Sequence, residues 1–126
     1  MVYFVKVKAL TEFFMEKRIE YGGLLEIYGS LLTPRQEECM RLFYVEDVTA
    51  PEIAAQTGVS RQAVHDALRS AENQLSLYEE RIGALKMRRR MEEAGELIGS
   101  FLSTSDETAL MRARALLDQE VTDIGV

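Results

Sequence analysis

The apolar positions of this chain step by three and four residues along its whole length, the period of amphipathic helices and not of strands. In the first segment Phe14, Tyr21 and Tyr28 recur every seven residues, with Leu24, Leu25, Leu31 and Leu32 on the same face. That spacing predicts a helix to about Leu32, weakened in its middle and bent or divided at Gly22-Gly23. The stretch "TPRQ" then restarts a helix: Thr33 can cap, Pro34 suits the first helical position, and Gln36 completes a capping box. Cys39, Leu42 and Phe43 are the expected buried stripe of this second helix. A second boxed start, Thr49 with Glu52, opens a short third helix ending at Thr57. Gly58 can take the left-handed conformation that stops it, and Ser60 caps the fourth helix.

The fourth helix reads as long. Val64, Leu68, Ala71, Leu75, Tyr78, Ile82 and Leu85 form a seven-residue seam whose register slips near Gly83. A new seam runs through Met87, Met91, Ala94, Ile98 and Phe101. "STSDE", Ser103 to Glu107, is a loop and cap before a last helix carrying Leu110, Ala113, Leu117, Val121 and Ile124. The expected class is all-α, about six helices with no strand. Its centre is a helix-turn-helix without a wing, with an N-terminal helix before it and long C-terminal helices after it.

Composition narrows the picture little. At 126 residues, 47% hydrophobic and 29% charged, the chain has the make-up of a soluble globular domain. Cys39 is the one cysteine, which rules out an intrachain disulfide and suggests the reducing cytoplasm. Apolar runs stop well short of the roughly 18 residues that span a bilayer. The opening "MVYFVKVKALTEFF" is broken by Lys6, Lys8 and Glu12 and lacks a small-residue cleavage site, so it does not read as a signal peptide. Met15 begins a more ordinary opening, "MEKRIEYGGLL", and residues 1–14 are read as an upstream extension. The expected organisation is that extension, a helix-turn-helix domain over 15–85, and a helical hairpin and dimerisation region over 86–126.

Charge changes the picture more. The formal balance is −6 and is spread, with six basic against eight acidic residues over 1–50, seven against eight over 51–100 and two against five over 101–126. The single basic knot is "KMRRRM", Lys86 to Met91, most simply a solvated face. A domain that lives by nonspecific phosphate binding carries a stronger positive bias.

The candidate chemistry lies in "EIAAQTGVSRQAVHDAL", Glu52 to Leu68. A close crossing of two helices needs a small residue, which Ala54 supplies, and the turn needs positive φ, which suits Gly58. With Val59, Val64 and Leu68 turned inward, Ser60, Arg61, Gln62, His65, Asp66 and Arg69 face outward, where such a helix meets base edges in the major groove. Arg61 could pair with guanine and Gln62 with adenine, while Ser60 and the helix N-terminus could hold a phosphate. The competing interpretation is a solvated packing corner, favoured by Asp66 and Glu72 beside Arg69.

Catalysis finds no support. His65 is the one histidine and Cys39 is expected inside, so no metal cluster or Cys/His pair is expected. The pairs Glu37-Glu38, Glu79-Glu80 and Glu92-Glu93 sit on helical patterns without a cleft. No glycine-rich phosphate loop follows a strand. No enzyme, catalytic residue, metal or cofactor is expected.

"LLEIYGSLLTPRQ" (Leu24 to Gln36), "EIAAQTGVSRQAVHDALRSAE" and "YEERI" (Tyr78 to Ile82) together resemble the YlxM family of small bacterial proteins. Ser60, Arg61, Gln62, Ala63, Val64, Asp66, Tyr78 and Glu79 match its pattern, with His65 where tyrosine is expected and Ser70 where a basic residue is common. The resemblance implies a fold like the promoter-reading C-terminal module of sigma factors. It also implies a cytoplasmic regulator linked, largely by gene neighbourhood, with the signal recognition particle targeting pathway.

Two functions follow as expectations. One is a DNA-binding regulator, a homodimer because groove-reading helices usually work in pairs, with its seams as the pairing surface. The other is an adaptor that binds a protein or RNA component of the targeting particle, partners that tolerate an acidic surface better than naked duplex does. Membrane insertion is expected in neither.

Overall fold

A computed structural model describes residues 2–119, and among them every regular element is helical. The order is α1 (Val2–Tyr28), α2 (Pro34–Met40), α3 (Ala50–Thr57), α4 (Arg61–Ile82), α5 (Ala84–Thr104) and α6 (Glu107–Leu117). A 3-10 turn at Gly29–Leu31 follows α1, and a π-helical turn at Arg41–Val45 follows α2. The all-α expectation holds. The chain divides into two compact units, one up to Leu77 and one from Tyr78 on.

In the first unit α1 is one helix from end to end; Gly22-Gly23 does not divide it. Only its C-terminal part is buried, through Leu24, Leu25 and Tyr28, and none of residues 2–16 is. Phe14, expected on the buried face, is therefore 60% exposed. The helix ends at Tyr28 and not Leu32, because the chain tightens at Gly29, where a Cβ would lie 3.3 Å from Leu25 Cδ1. The tighter turn keeps Leu32 inside and turns Leu31 out.

Both capping boxes form as the sequence requires. Thr33 Oγ1 accepts from the Gln36 N–H at 3.2 Å and Gln36 Oε1 from the Thr33 N–H at 3.0 Å. Thr49 and Glu52 exchange the same pair at 3.4 Å each. The second helix departs from expectation after Met40. The Glu46 N–H reaches the Arg41 carbonyl at 3.0 Å, a bond five residues back, so one extra residue enters the turn. The buried position moves from Phe43 to Tyr44, beside Cys39 and Met40, while Leu42 and Phe43 are half-buried. Tyr21 and Phe43 flank the Tyr44 ring at centroid distances of 5.0 and 4.9 Å. With Ile53, Ala54, Val64, Leu68, Ala71 and Leu75 these residues complete the unit's core.

The long seam expected through Leu85 is two helices. Gly83 sits at φ 71°, ends α4 and starts α5. The second unit is built on the antiparallel-type hairpin motif of α5 and α6, with Leu85, Ala94, Ala109 and Ala113 buried and Leu97, Phe101 and Leu116 half-buried. Apart from Leu85 its buried residues are alanines, and the larger residues Met87, Met91, Ile98, Leu110 and Leu117 of the expected seams are exposed. Small side chains let helix axes approach closely, and that leaves no room between them for the methionines. Asp106 caps α6 by accepting the Thr108 N–H at 3.0 Å. Val121 and Ile124, assigned to the last helix by the pattern, lie outside the described residues.

Candidate nucleic-acid interface

The corner between α3 and α4 is built by local rules. Thr57 ends α3, and Gly58 follows at φ 72° with its N–H on the Ala54 carbonyl at 3.0 Å. A residue with a Cβ resists that left-handed conformation, which glycine takes freely. Ser60 Oγ then accepts the Ala63 N–H at 3.0 Å and caps α4. Ile53, Ala54, Val64 and Leu68 are buried behind the corner, and Val59 is half-buried.

This places Ser60, Arg61, Gln62, His65, Asp66 and Arg69 on the exposed face of the first turns of α4, all six open to solvent. Three of them, Ser60, Gln62 and Asp66, already have partners. Ser60 uses an oxygen lone pair for the cap, leaving its O–H as the donor for a phosphate. Gln62 Nε2 donates to Asp66 Oδ1 at 2.9 Å, so its amide must leave a neighbour to read an adenine.

Gln62, His65 and Arg69 also form one wall of a groove of about 520 Å3; Ser60, Arg61 and Asp66 lie outside that lining. The opposite wall is α1, through Phe14, Lys17 and Arg18. The π-helical turn closes the end with Phe43 and Tyr44. None of these five was a sequence candidate. They are 17 or more residues from α4 in the chain, and no local signal joins them to it.

Hydrogen bonds fix the frame. The Tyr44 hydroxyl donates to Glu72 Oε1 at 2.5 Å, tying the π turn to α4. Burial, and then this bond to a carboxylate, push the Tyr44 phenol far above its ordinary pKa, so it stays a donor. Gln36 Nε2 donates to Ser70 Oγ at 3.0 Å, a role for the serine that stands where a basic residue is common in the resembling family. Arg18 pairs with Asp47, whose carboxyl it holds below the usual carboxylate range. The Lys17 ammonium lies over the Tyr21 ring, 5.8 Å from its centroid. Among the described residues no three His, Cys, Asp or Glu gather as a metal site, and burial raises the Cys39 thiol away from thiolate chemistry. No described helix is long and apolar enough to cross a membrane.

The fold and the corner define a helix-turn-helix protein. Residues 15–113 match the family described as "Putative helix-turn-helix protein, YlxM / p13 like". A UPF0122 protein of Symbiobacterium thermophilum is 41% identical over 97 residues, covering 77% of this chain and 91% of that protein. One from Geobacillus kaustophilus is 39% identical over 89 residues, covering 71% and 81%. The UPF0122 protein YlxM of Bacillus subtilis is 37% identical over 108 residues, covering 82% and 98%. The chain belongs to this UPF0122, YlxM-like family.

Proposed function

We propose that this chain is a cytoplasmic regulator that binds duplex DNA as a homodimer, with the N-terminal face of α4 in the major groove. The observation that carries the reading is the capped corner at Gly58 and Ser60, which leaves Arg61, Gln62, His65 and Arg69 exposed on one end of one helix. Arg61 pairs with guanine, Gln62 leaves Asp66 to contact adenine, and Ser60 and Arg69 hold phosphates. Met87, Met91, Ile98 and Leu102 leave an apolar stripe exposed along α5, which supports pairing through the region 86–126. The link with the signal recognition particle pathway rests on the resemblance to the YlxM family.

The test begins with selection from random duplexes, followed by titration of the retained sequences at several salt concentrations. Two chains per duplex are expected. With Arg69 as the one cation assigned to a phosphate, the slope of log affinity on log salt should be about −0.9 per chain. Arg61→Ala should cost about 1–3 kcal/mol, roughly 5- to 150-fold, and relax the choice of base at one position. Retention of no duplex at any salt would overturn the reading. The net charge of −6 favours one second reading, an adaptor for a protein or RNA component of the targeting particle. Capture of that particle's RNA or protein by a chain indifferent to duplex would establish it.

A further inference from the structure

The groove beside α4 has a chemistry that duplex recognition leaves unused. Its apolar surface comes from Phe14, Phe43 and Leu68, two of them aromatic. Cations reach it from both walls, Lys17 and Arg18 on α1 and Arg69 on α4, against the single carboxylate of Glu72. That carboxylate already takes the Tyr44 hydroxyl, and Arg18 is held by Asp47, so Lys17 and Arg69 are the cations left for a ligand's charge. Gln62 and His65 add groups that can donate or accept along a polar edge.

The volume, about 520 Å3, falls within the roughly 300–1,000 Å3 of small-molecule sites. A plain inorganic anion would leave the aromatic wall unused, and a plain hydrocarbon would strand the two cations. One ligand class uses all three surfaces: a flat π system, a hydrogen-bonding edge and a negative charge. The π turn strengthens the case, because it brings both Phe43 and the buried Tyr44 to the groove's end, with Phe43 the more open of the two.

We propose that this groove binds a free nucleotide, its base against Phe43 and Phe14 and its phosphate between Lys17 and Arg69. The bound nucleotide covers Gln62 and Arg69 and so competes with duplex DNA for the face of α4. The competition rests on the function proposed above; nucleotide binding itself does not.

The full chain is titrated calorimetrically with nucleoside mono- and diphosphates of each base, with the matching uncharged nucleosides, and with inorganic phosphate. The expected result is one nucleotide per chain for at least one base, held at least tenfold more tightly than its nucleoside or inorganic phosphate. Lys17→Ala and Arg69→Ala, both at accessible positions, should each weaken it about tenfold. Phe43→Leu keeps the apolar bulk and loses the ring face, and should weaken it by about 5- to 100-fold. Arg35→Ala, an exposed cation on α2 outside the groove, controls for general charge loss and should change nothing. Equal affinity for nucleotide and inorganic phosphate overturns the proposal, as does binding of single-stranded oligonucleotides without any mononucleotide. Duplex binding with no nucleotide binding also overturns it and leaves the duplex reading standing. Nucleotide binding with no duplex binding supports the groove and removes its regulatory consequence.

Discussion

Glu79 belongs to the "YEE" string that marks the family resemblance, and the structure gives it a task. Its two carboxylate oxygens accept the backbone N–H groups of Leu85 at 3.1 Å and Lys86 at 3.0 Å. These are orphan donors in the first turn of α5, which starts directly after Gly83 with no side-chain cap on that glycine. Replacing a cap by alanine costs about 0.5–2 kcal/mol, and a hydrogen bond to a charged group contributes about 1.5–3 kcal/mol. Glu79 makes two such bonds and is only half-buried, so water partly replaces it. Glu79→Ala should therefore cost about 2 kcal/mol, towards the upper end of the capping range. With a urea dependence of about 2 kcal/mol per M, the unfolding midpoint falls by about 1 M. Glu79→Gln keeps one oxygen acceptor and turns a donor towards the other N–H, so it should recover at most half the loss. Urea unfolding followed by circular dichroism reads the midpoint, and amide exchange of Leu85 and Lys86 reads the cap itself. An alanine variant with an unchanged midpoint and unchanged exchange at those two amides would refute the capping role.

Gly58 has open space around a built Cβ but sits at φ 72°, so Gly58→Ala isolates backbone strain and should cost roughly 1–2 kcal/mol. Gly58→Asn should cost less, and equal urea midpoints for glycine and alanine would mean the turn does not need its left-handed residue. Tyr44 gives a pH test. Its folded pKa is raised above the ordinary value of 10.0, so above that pH the unfolded phenol releases a proton the folded one keeps. Its contribution is fully present below the unfolded pKa and is lost as pH climbs towards the folded one, at up to about 1.4 kcal/mol per pH unit. Tyr44→Phe should cost about 1–3 kcal/mol at neutral pH, because Glu72 loses its donor, and should flatten this part of the alkaline decline. Urea midpoints between pH 9 and 11 that fall in parallel for the two proteins would refute it.

What was legible in the chain was local. Thr33 with Gln36, Thr49 with Glu52, Gly58 and Ser60 each act within a few residues of themselves, so spacing alone places them. The π turn was not legible, because Cys39, Leu42 and Phe43 keep a perfect helical period. What selects Tyr44 for burial is its packing on Tyr21 and its bond to Glu72, 23 and 28 residues away. Gly83 was legible as a slip of register but not as a helix end, because the apolar steps run on to Leu85 as if the helix continued. In the hairpin the seams placed Ala94 and Ala113 correctly but ranked Met87, Met91, Ile98, Leu110 and Leu117 with them, and these are exposed while Ala109 is buried. The outward face of α4 could be assigned from Val64 and Leu68, but its opposing wall could not, because Phe14, Lys17 and Arg18 arrive from another helix.

The net charge of −6 bears on this interface less than its size suggests. At physiological ionic strength charges are screened over about 8 Å, so the acidic residues of α5 and α6 count only where they come that near a phosphate. At the corner, Arg61, Arg69 and Lys17 act against Asp66, which Gln62 holds, and Glu72, which Tyr44 holds. The local balance is slightly positive, enough for a few phosphate contacts and not for tight nonspecific binding. On the proposed function, a protein with that balance would bind duplex near its threshold, where losing about 1.4 kcal/mol reduces affinity tenfold. Arg69 alone could supply that much, since it would hold a phosphate of the duplex or one of a nucleotide, but not both. On the proposed function, a weakly charged reader with a cationic groove beside α4 is physically suited to control by a small anion. The same groove on a strongly basic domain would matter little, because the remaining contacts would hold the duplex regardless.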